Sequence, residues 1–189
     1  MKAGPGAGSQ ISQDAALATR LNRVLMASDG TTTSLLESFL GEPLRVEVVP
    51  QRPANAVELA EWPGTLPQSG ILVRDAKLFG SRTGRLVVHA RSLIVLDRLP
   101  ERSRTEISEG CELLGRTLRT HRVEQHREIL TTGHGRAPAT TGAGDATAMP
   151  WRTYAIVVGG VPAVLVTEWF QLHHPERPDG EGTHTIGAP

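Results

Sequence analysis

Two charged residues stand where apolar neighbours would be expected, and they set the chemical question. In the run Leu72-Val73-Arg74-Asp75-Ala76-Lys77-Leu78, alternate side chains of a strand share a face, so Arg74 lies with Leu72, Ala76 and Leu78. The same count places Glu168 with Val164, Val166 and Phe170. A charge taken out of water is costly unless it is compensated, so each residue needs a partner or a ligand. A guanidinium grips a carboxylate through two parallel N–H bonds, and a desolvated carboxyl can exchange protons near neutrality. The pair therefore points to a pocket for a small anion. Two plainer arrangements fit the same spacing: a direct ion pair between Arg74 and Glu168, or a register that turns one of them to solvent.

Other reactive residue types lack a productive pattern. His121 and His126 are five apart, and neither they nor His134 and His173-His174 make an HExxH-type spacing, so no metal is expected. The single cysteine, Cys111, sits in an apolar stretch and reads as core. Gly142-Ala143-Gly144-Asp145 is not followed by Lys-Ser/Thr and joins no strand to a helix, which removes a phosphate-cradling loop. Trp169 and Phe170 read as packing residues, with Trp169 on the outer face of its strand.

The elements that must position Arg74 and Glu168 follow from periodicity and turn chemistry. Residues 1–10 are Gly-rich and read as a disordered N-terminus, residues 11–172 as one domain, and the polar, Pro-rich residues 173–189 as a flexible tail. Ile11, Ala15, Leu17, Leu21, Val24 and Leu25 recur at helical spacing before Asp29-Gly30. The Thr-Thr-Thr-Ser run at 31–34 caps a second helix reaching Gly41. Alternation at 44–48 gives a strand, and 56–61 a short helix before Pro63-Gly64. Segments 71–79 and 86–96 form a hairpin around Gly80–Gly84; 151–158 and 163–170 form another around Gly159-Gly160-Val161-Pro162. Between these hairpins lie a region of helix and loop, a strand over 123–130, and a Thr/Gly/Ala tract over 131–149 that reads as a mobile loop. Hairpins with helices grouped between them predict an α+β fold: an antiparallel sheet with helices packed on it.

Lys+Arg and Asp+Glu both number 20 in 189 residues, so no net charge favours nucleic acid or an anionic membrane as partner. One cysteine excludes an internal disulfide framework and suits a reducing compartment. No leader-like or spanning apolar run is visible, and the expected location is cytoplasmic, as monomer or homodimer.

The order of motifs is informative beyond any one of them. Ser28-Asp29-Gly30-Thr31-Thr32-Thr33-Ser34-Leu35-Leu36-Glu37, Leu44-Arg45-Val46-Glu47-Val48, Leu72-Val73-Arg74-Asp75, Ala90-Arg91-Ser92, Leu114-Gly115-Arg116, Trp151-Arg152-Thr153-Tyr154 and Val166-Thr167-Glu168-Trp169-Phe170 together resemble chorismate pyruvate-lyase over residues 20–171. The resemblance implies an antiparallel sheet with helical flaps over an enclosed site. It also implies conversion of chorismate to 4-hydroxybenzoate and pyruvate without cofactor, the partner being an aromatic or cyclohexadiene carboxylate. By motif, Arg74 matches the arginine that holds the ring carboxylate and Glu168 the carboxylate facing the 4-oxygen. Thr32 and Leu114 match positions whose backbone N–H groups meet the ligand, and Arg91 and Arg152 match arginines available to a second carboxylate, or to ion pairs. The implied step is an elimination, with the enolpyruvyl ether bond at C4 breaking as a ring proton is lost and the diene becomes aromatic.

Thr32 departs from the family's apolar residue at the flap, and the 131–149 tract is longer than its usual connector. Two alternatives stay open. Ligand domains of certain bacterial transcription regulators share the fold and part of the Ala-Arg-Ser motif, although the residues ahead of the shared region are too few for a winged helix and none is a basic recognition helix. A family pocket repurposed for another metabolite is the other.

Overall fold

The computed structural model describes residues 7–29, 32–68, 70–110, 112–136 and 148–172, with side chains from residue 16 onward. The expectations placed on Cys111, on the loop at 142–145, on His173-His174 and on the tail lie outside those residues. Helix α1 spans Ala7–Ala27 and α2 Thr32–Leu40. Strand β1 (Leu44–Val48) and the two-residue β2 (Arg52–Pro53) precede α3 (Ala56–Ala60), which Asn55 and Glu58 cap reciprocally. The hairpin β3 (Leu72–Gly80) and β4 (Leu86–Ile94) follows, then α4 (Glu101–Glu109) and α5 (Leu114–Thr120). Strands β5 (Gln125–Gly135), β6 (Met149–Val158) and β7 (Val161–Phe170) end the described fold.

All seven strands join one antiparallel sheet in the order β1-β3-β4-β7-β6-β5, with β2 also on β3. The predicted α+β architecture is the one observed. Three boundaries differ from the sequence reading. Helix α1 begins at Ala7, inside the stretch expected to be disordered. Val161 and Pro162 belong to β7, so the turn is only Gly159-Gly160, both at positive φ. The third difference is that β5 runs on through Gly135 and β6 starts at Met149, so both ends of the 131–149 tract are paired strand. Glycine there is a packing device: a Cβ on Gly133 would stand 2.6 Å from the Trp151 indole, which lies across the neighbouring strand.

The sheet separates two unequal sides. On one, Leu21, Leu25 and Leu36 of α1 and α2 pack with Leu78, Val88 and Phe170, while Ile107, Leu114 and Leu118 of α4 and α5 pack with Ile94, Ile156 and Val164. Trp62, beyond α3, covers part of the other side with Ile71, Val73, Leu93 and Leu165. Burial of these side chains, about 1.5–3 kcal/mol each, is what holds the helices on the sheet. The two apolar clusters of the first side meet at a gap over β3, β4, β6 and β7.

Candidate active site

That gap is a small, partly enclosed cavity of about 50 Å³. Its floor is Arg74, Ala76 and Leu78 of β3, Ala90 and Ser92 of β4, Tyr154 and Ile156 of β6, and Val166 and Glu168 of β7; Thr32, Thr33, Leu113, Leu114 and Gly115 form the roof. Strand alternation sends the floor residues to one face, as the sequence reading expects for Arg74 and Glu168. Both are buried. They do not pair with each other, which sets aside the plainer of the two readings.

Glu168 is held from three directions. Arg152 Nε donates to its Oε2 at 2.9 Å, Thr32 Oγ1 donates to the same oxygen at 3.1 Å, and Tyr154 Oη donates to Oε1 at 3.2 Å. Burial, then the charge of Glu168, pushes the Tyr154 phenol up, so it stays protonated and donates. Arg152 sits directly opposite Glu168 across the β6–β7 ladder and is fully buried. Its Nη1 donates to the carbonyls of Leu25 and Ser28 at the end of α1, and its Nη2 to Thr32 Oγ1. Arg152 is thus committed to the protein and does not line the cavity.

Arg74 is in the opposite condition. Its Nη2 donates to the Glu112 carbonyl, its Nε has no hydrogen-bond partner, and no carboxylate of the described residues pairs with it. Burial brings its guanidinium down to about 10, still cationic at neutral pH. A buried cation without an acid beside it is a charge that the negative charge of a ligand would offset.

Arg91 is not in this assembly. Ala90 and Ser92 face the cavity, so residue 91 points to the other side of the sheet. There Arg91 bonds Asp75 through Nε at 2.9 Å and Nη2 at 3.3 Å, with Glu58 at 3.9 Å. The expectation that it meets a substrate carboxylate is corrected by that placement. Trp169 faces the same outer side, beside His89 with 5.4 Å between ring centroids, as expected. His121 pairs with Glu106, and no group of three metal-ligating side chains exists among the described residues.

Sequence reasoning missed Tyr154 and the side-chain role of Thr32. The first was legible, being two residues from Arg152 and so on the same face. The second was not: the hydroxyl that replaces an apolar side chain joins Arg152 to Glu168, a contact made only once α2 lies over β7.

An antiparallel sheet roofed by helices over a small cavity, with a buried cation on its floor, defines an α+β domain with a place for a small molecule. The model of the Rv2949c-like chorismate pyruvate-lyases matches residues 26–176, and the chain belongs to that family. A chorismate pyruvate-lyase of Mycobacterium leprae is 30% identical over 152 residues, covering 78% of this chain and 72% of the relative; that of Mycobacterium tuberculosis strain H37Rv is 30% identical over 155 residues, 78% of each. Among solved structures, PhnF from Mycobacterium smegmatis shares the fold with a TM-score of 0.52 and 17% identity, over 76% of this chain. The chain spans 64% of the length of that structure. No described helix is long and apolar enough to cross a membrane.

Proposed function

We propose that this chain is an enzyme converting chorismate into 4-hydroxybenzoate and pyruvate. The observation that carries the reading is the pairing of opposites in one cavity: Arg74 with no carboxylate partner among the described residues, and Glu168 fixed by three donors. Arg74 holds the ring carboxylate, helped by backbone N–H groups of Thr32 and Leu114, which open α2 and α5 and have no helical acceptor. Glu168 faces C4 and its oxygen.

Chorismate carries its hydroxyl at C4 and its enolpyruvyl ether at C3, so the bond that breaks is C3–O, which corrects the expectation of cleavage at C4. Its electron pair leaves with the enolpyruvyl oxygen, which ends as pyruvate once the enol takes up a proton at carbon. The C4 proton is lost toward Glu168, and the C4–H electrons complete the aromatic ring. Aromatisation supplies the driving force, leaving the protein to orient the ring and compensate charge. A cavity of about 50 Å³ is far below the roughly 300–1,000 Å³ of ligand pockets, so the ring enters only when the α2 and α5 roof parts from the sheet.

The reading is tested by incubating purified protein with chorismate and following both products by chromatography, with Glu168→Gln alongside. Equal release of 4-hydroxybenzoate and pyruvate is expected, reduced about 100-fold or more in the variant. The amide retains an oxygen for Arg152, and a matched thermal melt confirms that the variant folds. The saturation of Glu168 by three donors also fits a second reading, a binding domain without catalysis. Untouched chorismate together with bound 4-hydroxybenzoate would establish it instead.

A further inference from the structure

A groove of about 530 Å³ lies outside the roof, and the cavity and groove share two residues, Gly115 and Arg127. The groove is cationic in a chain with no net charge: Arg119, Arg122 and Arg127 line it with Asp29 as its one acid. Arg119 and Arg122 are exposed, at and just beyond the end of α5. Arg122 has φ of 51°, a left-handed conformation that a non-glycine residue adopts at a cost.

Arg127 stands at the junction. It comes from β5, opposite Ile156 of the cavity floor. Its guanidinium carbon lies 5.5 Å from the centroid of the Tyr154 ring, and Nη1 reaches the Asp29 carbonyl at 3.5 Å. Its Nη2 comes within 3.4 Å of where a Cβ on residue 115 would stand, so glycine there leaves the guanidinium its place. Tyr154 in turn bonds Glu168, the residue facing C4. The enolpyruvyl group leaves the ring at C3, next to C4, and so projects from the Glu168–Tyr154 end of the cavity, where Arg127 is.

We infer that Arg127 is a specificity-determining residue that receives the second carboxylate of the substrate, and that the arginine-lined groove is the path by which a dianion enters and the three-carbon acid leaves. The inference rests on the lyase reading for the position of C3. Arg74 then recognises the carboxylate common to substrate and aromatic product, and Arg127 the one that distinguishes them. A guanidinium suits that role because its several N–H donors allow it to keep one contact while making another. The surplus positive charge at the mouth draws a dianion more strongly than a monoanion.

The test compares chorismate with 4-hydroxybenzoate on wild-type protein, Arg127→Gln and Arg127→Lys. Expected are a KM for chorismate raised about 10- to 100-fold in Arg127→Gln, kcat little changed, partial recovery in Arg127→Lys, and unaltered affinity for 4-hydroxybenzoate, which also reports that the variants fold. A KM that does not move, or an equal loss of affinity for both ligands, overturns the assignment while leaving the lyase reading in place. Calorimetric binding to Glu168→Gln protein, with and without Arg127→Gln, separates the two failures. Selective loss of chorismate binding upholds Arg127 even if turnover is absent, whereas a protein that binds no chorismate overturns both.

Discussion

The two faces of the central strands carry similar charges and treat them differently. On the outer face Arg91 is saturated by Asp75, with Glu58 nearby, and Glu58 is itself gripped by Arg52, whose hydrogen bonds hold its carboxyl down at about 2. On the inner face Arg152 is saturated by Glu168, but Arg74 has no acid and opens onto a cavity. A buried arginine is therefore no mark of a site. A buried arginine in excess of its acids is one, because the imbalance costs stability unless a ligand's charge cancels it.

The comparison is broken most forcefully at the inner pair. Arg152→Ala leaves Glu168 buried without its counter-charge and releases the carbonyls at the end of α1, and should cost about 3–5 kcal/mol in denaturant melts. The outer face responds to acid. His89 is buried beside Asp75, and burial, against the pull of that carboxylate, brings it to about 4 from an ordinary 6.5. The folded state thus resists a proton that the unfolded chain accepts. Stability fully present above pH 6.5 should fall as pH drops toward 4, by up to about 3 kcal/mol, and His89→Gln should flatten that slope in melts taken across the window.

Arg74→Met sharpens the contrast by moving two observables in opposite directions. Calorimetry should show 4-hydroxybenzoate binding weakened by about 1.5–3 kcal/mol, roughly 10- to 100-fold, while the melting temperature holds or rises because an uncompensated cation is gone. A parallel fall in stability would show that Arg74 is structurally paired after all. The smallest effect belongs to Arg91→Ala, which should cost about 1 kcal/mol of stability and leave ligand affinity unchanged.

How much of this was legible depended on whether the signal was local. Alternation alone put Arg74 and Glu168 on inward faces, because side-chain direction in a strand has a period of two. The partner of Glu168 needed the register. A two-residue turn at Gly159-Gly160 pairs Val158 with Val161, and continuing that count sets Glu168 opposite Trp151. The irregularity between Ile156 and Val157 shifts the ladder by one and brings Arg152 there instead. Arg91 misled for the opposite reason: its motif is right, but motif order says nothing of facing, and alternation from Ala90 and Ser92 already turned it outward. The strand ends at 131–135 were hidden because Thr and Gly read as loop until Trp151 is seen lying on them.

The hold of Arg152 on the Leu25 and Ser28 carbonyls also governs how such a chain can diverge. A descendant that took up a different ligand could not simply discard Glu168, since the cation it neutralises is wired into the end of the first helix. Shedding the acid requires another anion in its place, or concerted replacement of the arginine, the acid and the helix ending. Glu168 is accordingly expected to persist wherever this helix ending persists, kept by architecture whatever the cavity holds.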